Sequence, residues 1–375
     1  NRPVQLPDDL QFFNGYGGFS ADGSEYIILL RERMTPAPWI NILANPHFGC
    51  TLSERGAGFT FAENSRENKL TPWSNDPVSD PPGEVIYLRD EESGALWTVT
   101  AAPIWEEQPY AITHGWGYSK FVHHSHGISQ HLTVFVPQED LVKLSLLRLK
   151  NEGERPRHLS VTYYIRPVLG VSDEVCQQHI VTAMEGNVMT IRNPYNGDFP
   201  GRVAWATASA PITSYTGDRT EFLGLGGDLS RPVALTGKEL SGTVGAGLDP
   251  CVALQMSVTL APGEERELLL QLGHARSEAE VKSVAGKCSL KLAHSQLRQI
   301  KKYWRELAGS IVARTPEPAL NIILGWLVYQ SLVSRLWART GFYQCGGAYG
   351  FRDQLQDAMN LVALDPLLTR EQILL

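Results

Sequence analysis

The chain has 375 residues, 43% of them hydrophobic, 19% charged and 9% aromatic, enough ordinary globular material for two domains with sizeable cores. A net charge of −7 with no Lys/Arg run or basic stripe argues against a nucleic-acid partner. No apolar run reaches the roughly 18–20 uninterrupted residues of a spanning helix, and no signal-peptide pattern opens the chain. The five cysteines (Cys50, Cys176, Cys251, Cys288, Cys345) lack CxxC or Cys/His spacing and point to reduced, mostly buried thiols in a cytosolic setting.

From about residue 10 to 275 the pattern is β. "NGYGGFSADGSEYII" (14–28) has the look of a glycine phosphate loop, but a turn at Asp22-Gly23 and a strand-like run follow it, so a dinucleotide fingerprint fails its context. "TFAENSRENKLTPWSNDPVSDPPGE" (60–84) is a long polar loop and a candidate for an interface or the edge of a site, or for plain surface. "FVHHSHGISQH" (121–131) is expected to put His124 and His126 on one strand face near His114, without the carboxylate or thiol that would complete a metal site. "HLTVFV" and "DLVKLSLLRL" read as neighbouring strands, and "HLSVTYYI" alternates in the same way. "CVALQMSVTL", the turn "APGEE" and "RELLLQLG" predict a hairpin of partner strands. Many strands separated by Gly/Pro turns predict a large antiparallel β-sandwich over residues 1–275.

At Ser277 the period changes. A Ser277/Glu280 capping box followed by Ala293, Leu297, Ile300, Trp304 and Leu307 predicts an amphipathic linker helix of roughly 30 residues within 276–315. Pro316 and Pro318 suit the start of a further helix, and 319–338 reads as a core helix buried on most sides, interrupted by Asn321, Gln330, Ser334 and Arg335. A glycine-rich loop (341–350) leads into "GFRDQLQDAMN", and Thr369/Gln372 look like the cap of one more helix. That last helix has no room to continue and Asn1 is not Met, so a piece of a longer protein is expected.

Asp353 and Asp357 are four apart and share one helix face, with Arg352 and Gln356 as the adjoining stripe. Such a face suits a sugar, because carboxylates accept bonds from vicinal hydroxyls and an arginine fork holds them in place. It equally suits helix-start electrostatics, with Asp favoured in the first turn and Arg352 pairing locally.

"FNGYGGFSADGSEYII", the stretch from "PAPWINILANPHFGC" to "PPGEVIYLRD", and "RLWARTGFYQCGGAYGFRDQLQD" together resemble the glycoside phosphorylase family that includes cellobiose and chitobiose phosphorylases. Within that family they resemble the phosphorylase-like C-terminal region of cyclic β-1,2-glucan synthases and related β-1,2-oligoglucan phosphorylases. The resemblance implies a galactose-mutarotase-like sandwich (1–275), a helical linker (276–315) and the first helices of an (α/α)6 barrel (316–375). It implies inverting phosphorolysis of a β-glucan oligosaccharide, with inorganic phosphate as co-substrate and no further cofactor or metal. Asp353 matches the family aspartate that holds hydroxyls of the terminal glucosyl unit, and Arg339 matches an assisting arginine. Related disaccharide phosphorylases carry an arginine where this chain has Gly347, which favours the glucan branch. The general acid and phosphate ligands are expected beyond Leu375. A cytoplasmic homodimer is implied or, for the synthase branch, fusion to a membrane-bound synthase domain on the cytoplasmic side of the inner membrane. Two readings compete: a non-catalytic carbohydrate-binding or dimerisation module, and an inverting hydrolase on the same fold.

Overall fold

The computed structural model describes residues 4–285, 287–347 and 350–375. Three antiparallel sheets build most of it. A ten-stranded sheet runs from Gly17–Phe19 through Glu25–Leu30, Tyr110–Gly115, Tyr118–Ser125, Ile128–Phe135, Val142–Asn151, Glu265–Ala275, Val203–Ala208 and Val188–Arg192 to Val181–Glu185. A five-stranded sheet orders Ser214–Asp218, Pro250–Leu260, Arg157–Ile165, Glu84–Asp90 and Leu96–Thr98, and Ile40–Asn45, Phe48–Ser53 and Thr60–Ala62 form a third.

The central strands are buried on both faces. On strand Val142–Asn151, Leu147 and Leu149 join the core shared with the five-stranded sheet, through Val161, Leu254 and Met256. Leu144 and Leu146 face the other way, into a second core with Trp304, Tyr329 and Val333 of the helices. Strands covered on both sides lose the polar–apolar alternation of a half-exposed sheet.

The expected hairpin of 250–260 with 265–275 does not form. Pro250–Leu260 pairs with Arg157–Ile165 in one sheet, while Glu265–Ala275 pairs with Val142–Asn151 and Val203–Ala208 in the other. The corner between them is held by buried Asn151, whose Nδ2 donates to Leu260 O at 3.1 Å and Ala261 O at 3.2 Å. Alternation identifies the faces of a strand and not its partner.

The linker is two helices, Glu278–Val284 and Leu290–Ala308, because Ser289 starts a second cap by accepting from Leu292 N. At the first, Ser277 accepts from Glu280 N, and Glu280 Oε2 accepts from Arg276 N at 2.6 Å rather than from Ser277. The last helix begins earlier than the Thr369/Gln372 pattern suggests. Asp365 caps it ahead of Pro366, and Thr369 sits mid-helix, donating to Ala358 O at 2.9 Å. An aspartate cap with proline in the first turn is the stronger start signal.

Helix Pro318–Gln330 continues as a π-helix, Ser331–Ala338. It is anchored on the third sheet by Tyr329, whose hydroxyl donates to Ile42 O at 2.6 Å and whose ring meets Trp304 edge-on at 4.7 Å. By length and composition Pro318–Ala338 could cross a membrane, contrary to the expectation that no stretch is apolar enough. Nor is it covered on most sides, since Leu320, Ile323 and Leu327 form an exposed row.

The three histidines do not cluster. The strand ends at Ser125, and His126 lies in the following turn, stacked on Trp97 and bonded to Glu106 at 2.7 Å. His124 faces the His131 ring, 6.0 Å away, and His114 is buried against Trp39 O. Among the described residues no group of three His, Cys, Asp or Glu is arranged to hold a metal ion.

His114 and His274 carry a pH prediction. Burial pushes their rings down from 6.5 to about 4 and about 3. The unfolded chain therefore takes up protons near pH 6.5 that the folded chain refuses, and stability falls as pH drops from about 6.5 towards 4. Between pH 7.5 and 5.5 each histidine is expected to remove about 1 kcal/mol of folding stability by urea denaturation. His114→Asn should flatten its share of that slope. A pH-independent profile would count against neutral burial.

Candidate functional site

The opening lies where the π-helix ends. Arg339 takes left-handed backbone angles as its C-cap, and its carbonyl accepts from Gly346 N at 3.1 Å and Gly347 N at 3.2 Å, closing 339–347 into a tight loop. A bridge between Thr340 and Cys345 and the bond from Gly341 N to Gln344 O (2.8 Å) brace the same loop. Beyond it, Gly350 caps helix Phe351–Met359, which leads with Arg352 and Asp353. Between the π-helix, the loop and this helix is a cavity of about 490 Å³.

Three of the five residues singled out from the sequence line this cavity: Arg339, Asp353 and Asp357. Arg352 and Gln356 do not line it. Arg352 is 83% exposed along its side chain and pairs with its own neighbour, Nη2 to Asp353 Oδ1 at 2.9 Å. Gln356 is exposed, while buried Gln354 lines the cavity in its place. Cavity-facing positions on this helix are therefore 353, 354 and 357, a face rotated away from 352 and 356. Among the described residues Asp357 is bound neither to Arg352 nor to the loop backbone. It accepts from Arg335 Nε at 2.9 Å.

Arg335 is the residue that sequence reasoning missed. It appears there only as an interruption of an apolar helix, yet the π-turn places it with Ser334 and Arg339 on the cavity wall. A π-segment adds a residue to the turn and often marks functional sites, but a regular 3.6-residue period gives no hint of it.

The polar loop 60–84 packs against the 339–347 loop without lining the cavity itself. Asn64 Nδ2 donates to Gly347 O at 3.0 Å, and Cys345 Sγ contacts Ser65 O at 2.9 Å. Gly347 has φ +60, and a Cβ there would fall 2.3 Å from Asn64 Oδ1 and 2.8 Å from Arg66 N. At this position the chain has no room for any side chain.

Residues 24–290 match the family description "Glycosyl hydrolase 94, supersandwich domain", and residues 303–375 match "Glycosyl hydrolase 94 superfamily, catalytic domain". The chain belongs to the glycosyl hydrolase 94 family. The cavity, built on residues 334–357, thus lies in the region matched to that family's catalytic domain.

Two relatives show the span of glycosyl hydrolase 94. The chain is 37% identical to cyclic β-(1,2)-glucan synthase NdvB of Rhizobium meliloti (strain 1021), over 98% of this chain and 13% of that protein. It is 29% identical to an N,N′-diacetylchitobiose phosphorylase of Vibrio furnissii, over 96% of this chain and 46% of that one. The chain therefore spans less than half the length of these relatives. Among solved structures, a bacterial glucoamylase complexed with acarbose shares the fold, with a TM-score of 0.51 at 12% identity over 93% of this chain and 52% of that one. A supersandwich followed by the start of a helical catalytic domain agrees with the β-sandwich and helical order expected from the sequence.

Proposed function

We propose that the chain is part of an inverting glycoside phosphorylase, or of the phosphorylase-like region of a cyclic β-1,2-glucan synthase. Its substrates would be a β-linked glucan oligosaccharide and inorganic phosphate, and its product α-glucose 1-phosphate. The observation that supports this is the motif cavity, with two carboxylates and two guanidiniums converging in a family whose named members include phosphorylases. Its volume of about 490 Å³ falls within the about 300–1,000 Å³ usual for small-molecule sites.

In this reading Asp353 accepts hydrogen bonds from hydroxyls of the terminal glucosyl unit, with Arg339 beside it. Asp357 and Arg335, paired across the cavity, hold the wall in shape. A phosphate oxygen attacks the anomeric carbon on the face opposite the glycosidic oxygen. The C–O bond breaks as that oxygen takes a proton from a carboxylic acid, and configuration inverts. Phosphate is already a nucleophile, so a second carboxylate to activate water is unnecessary. The proton donor and the phosphate ligands are proposed to lie outside residues 1–375, and the exposed apolar row Leu320, Ile323 and Leu327 is the kind of face further helices would cover. A homodimer, cytoplasmic or joined to a membrane-bound synthase domain, completes the proposal.

The test is product analysis. The complete protein should release glucose 1-phosphate from β-1,2-linked glucose oligomers only when phosphate is present, and the 375-residue chain alone should release none. Release of free glucose without phosphate would replace the phosphorylase with a hydrolase.

A further inference from the structure

Twelve of the described residues line the motif cavity. Eleven are charged, polar or glycine, and the twelfth is Tyr343, which is 66% exposed. A lone aromatic on an open surface needs no explanation. A broad apolar plane set among carboxylates, guanidiniums and amides does.

The turn that carries Tyr343 aims it at the cavity. Gly341 N donates to Gln344 O at 2.8 Å, Thr340 Oγ1 donates to the same carbonyl at 3.2 Å, and Thr340 bridges Cys345. Phe342 and Tyr343 are thus the tip of a closed two-residue turn, and there the two rings part. Half-buried Phe342 shares a narrow gap with Ile40, Phe59 and Trp73 of the sandwich. Tyr343 lines the cavity and stands edge-on to Phe342, with centroids 5.0 Å apart and planes at 83°. Edge-to-face is a favoured aromatic geometry, so the seated ring fixes the plane of the exposed one. A ring held in this way loses little freedom when a ligand meets it.

A glucopyranose ring asks for both kinds of wall. Its hydroxyls call for carboxylates, amides and guanidiniums. In the β-gluco configuration every one of them is equatorial, which leaves two flat faces of C–H bonds. Those hydrogens carry a small positive charge and meet the negative face of an aromatic ring, while water leaves two apolar surfaces at once. Inorganic phosphate is charged on every side and offers no such face.

We propose that Tyr343 is a sugar-binding residue of the motif cavity, its ring taking the C–H face of a β-glucosyl unit bound there. The proposal rests on the sugar-binding reading of that cavity and adds to it a residue that sets affinity for the glucan and not for phosphate.

Steady-state kinetics of the complete protein on β-1,2-linked glucose oligomers tests it, together with titration calorimetry of the same oligomers in phosphate-free buffer. Tyr343→Ala should raise KM and Kd for the oligomers about five- to tenfold. It should leave KM for phosphate and Tm unchanged, because the side chain is largely exposed. Tyr343→Phe keeps the plane and should bind within about twofold of the unaltered protein. The proposal fails if the alanine variant binds the oligomers as tightly as the unaltered protein, or if the phenylalanine variant is as weak as alanine. It also fails if alanine raises KM for phosphate equally or lowers Tm by more than about 4 °C, since the ring would then be a strut of the loop. Cleavage without phosphate would overturn the phosphorylase alone, with the oligomer Kd of the two variants still deciding the role of Tyr343. An unaltered protein that binds no oligomer would overturn both.

Discussion

In the complete protein, Asp353→Asn is expected to lower kcat/KM for phosphorolysis by about 100-fold or more while moving Tm by no more than about 2 °C. The two effects separate because of where the carboxylate sits. Its pair with Arg352 is exposed, 83% and 58% along the two side chains, and exposed pairs contribute about 0–1 kcal/mol to stability. Bonds from sugar hydroxyls to a carboxylate are worth about 1.5–3 kcal/mol each, and those that tighten as the ring flattens towards an oxocarbenium ion act on kcat. Asp357→Asn should show the opposite balance. Its carboxylate is 21% exposed and tied to Arg335 at 2.9 Å, so the loss falls more on Tm and less on turnover. Steady-state kinetics in both directions with thermal melting decides between the readings. Near-normal kinetics for Asp353→Asn with a lowered Tm would reduce the Arg352–Asp353 pair to helix-start electrostatics.

Gly347→Ala is expected to cost about tenfold or more in kcat/KM with far-UV circular dichroism unchanged. A methyl group there would lie 2.3 Å from Asn64 Oδ1, 2.5 Å from Arg66 Cβ and 2.8 Å from Arg66 N, at a backbone φ of +60. Asn64 can turn aside, but a backbone nitrogen cannot, so the loop must lift from residues 64–66. That movement gives up the Asn64–Gly347 and Cys345–Ser65 contacts and carries Arg339 and Gly350 with it. Asn64→Ala, which removes one neutral hydrogen bond and adds no clash, should cost only about 1 kcal/mol and leave more of the activity. Equal kinetics for Gly347→Ala and the unaltered protein would show that the loop's position is irrelevant to the reaction.

The sandwich was legible because the Pro/Gly turns and β-branched runs are local signals, and local signals survive in one dimension. The separation of 250–260 and 265–275 into different sheets was not, since the corner between them is tied up by Asn151, a residue 99 positions or more away. At the site, the spacing of Asp353 and Asp357 placed both on one face correctly. It could not show that Gln354 rather than Gln356 joins them, because that depends on which side of the helix meets the π-helix. Arg335 was hidden for a related reason. An arginine within an apolar helix reads as a solvated interruption until the extra residue of the π-turn brings it round to Asp357.

The contact between Asn64 and Gly347 spans 283 positions of chain, and this bears on when the site can exist during synthesis. Residues 339–347 could close their own short-range bonds as soon as they emerge. Their final seat, however, is a surface that only a finished third sheet and its 63–69 loop present. Assembly of the motif cavity therefore waits on the sandwich, and a helical region transplanted onto a different amino-terminal partner would arrive without the mould for its 339–347 loop.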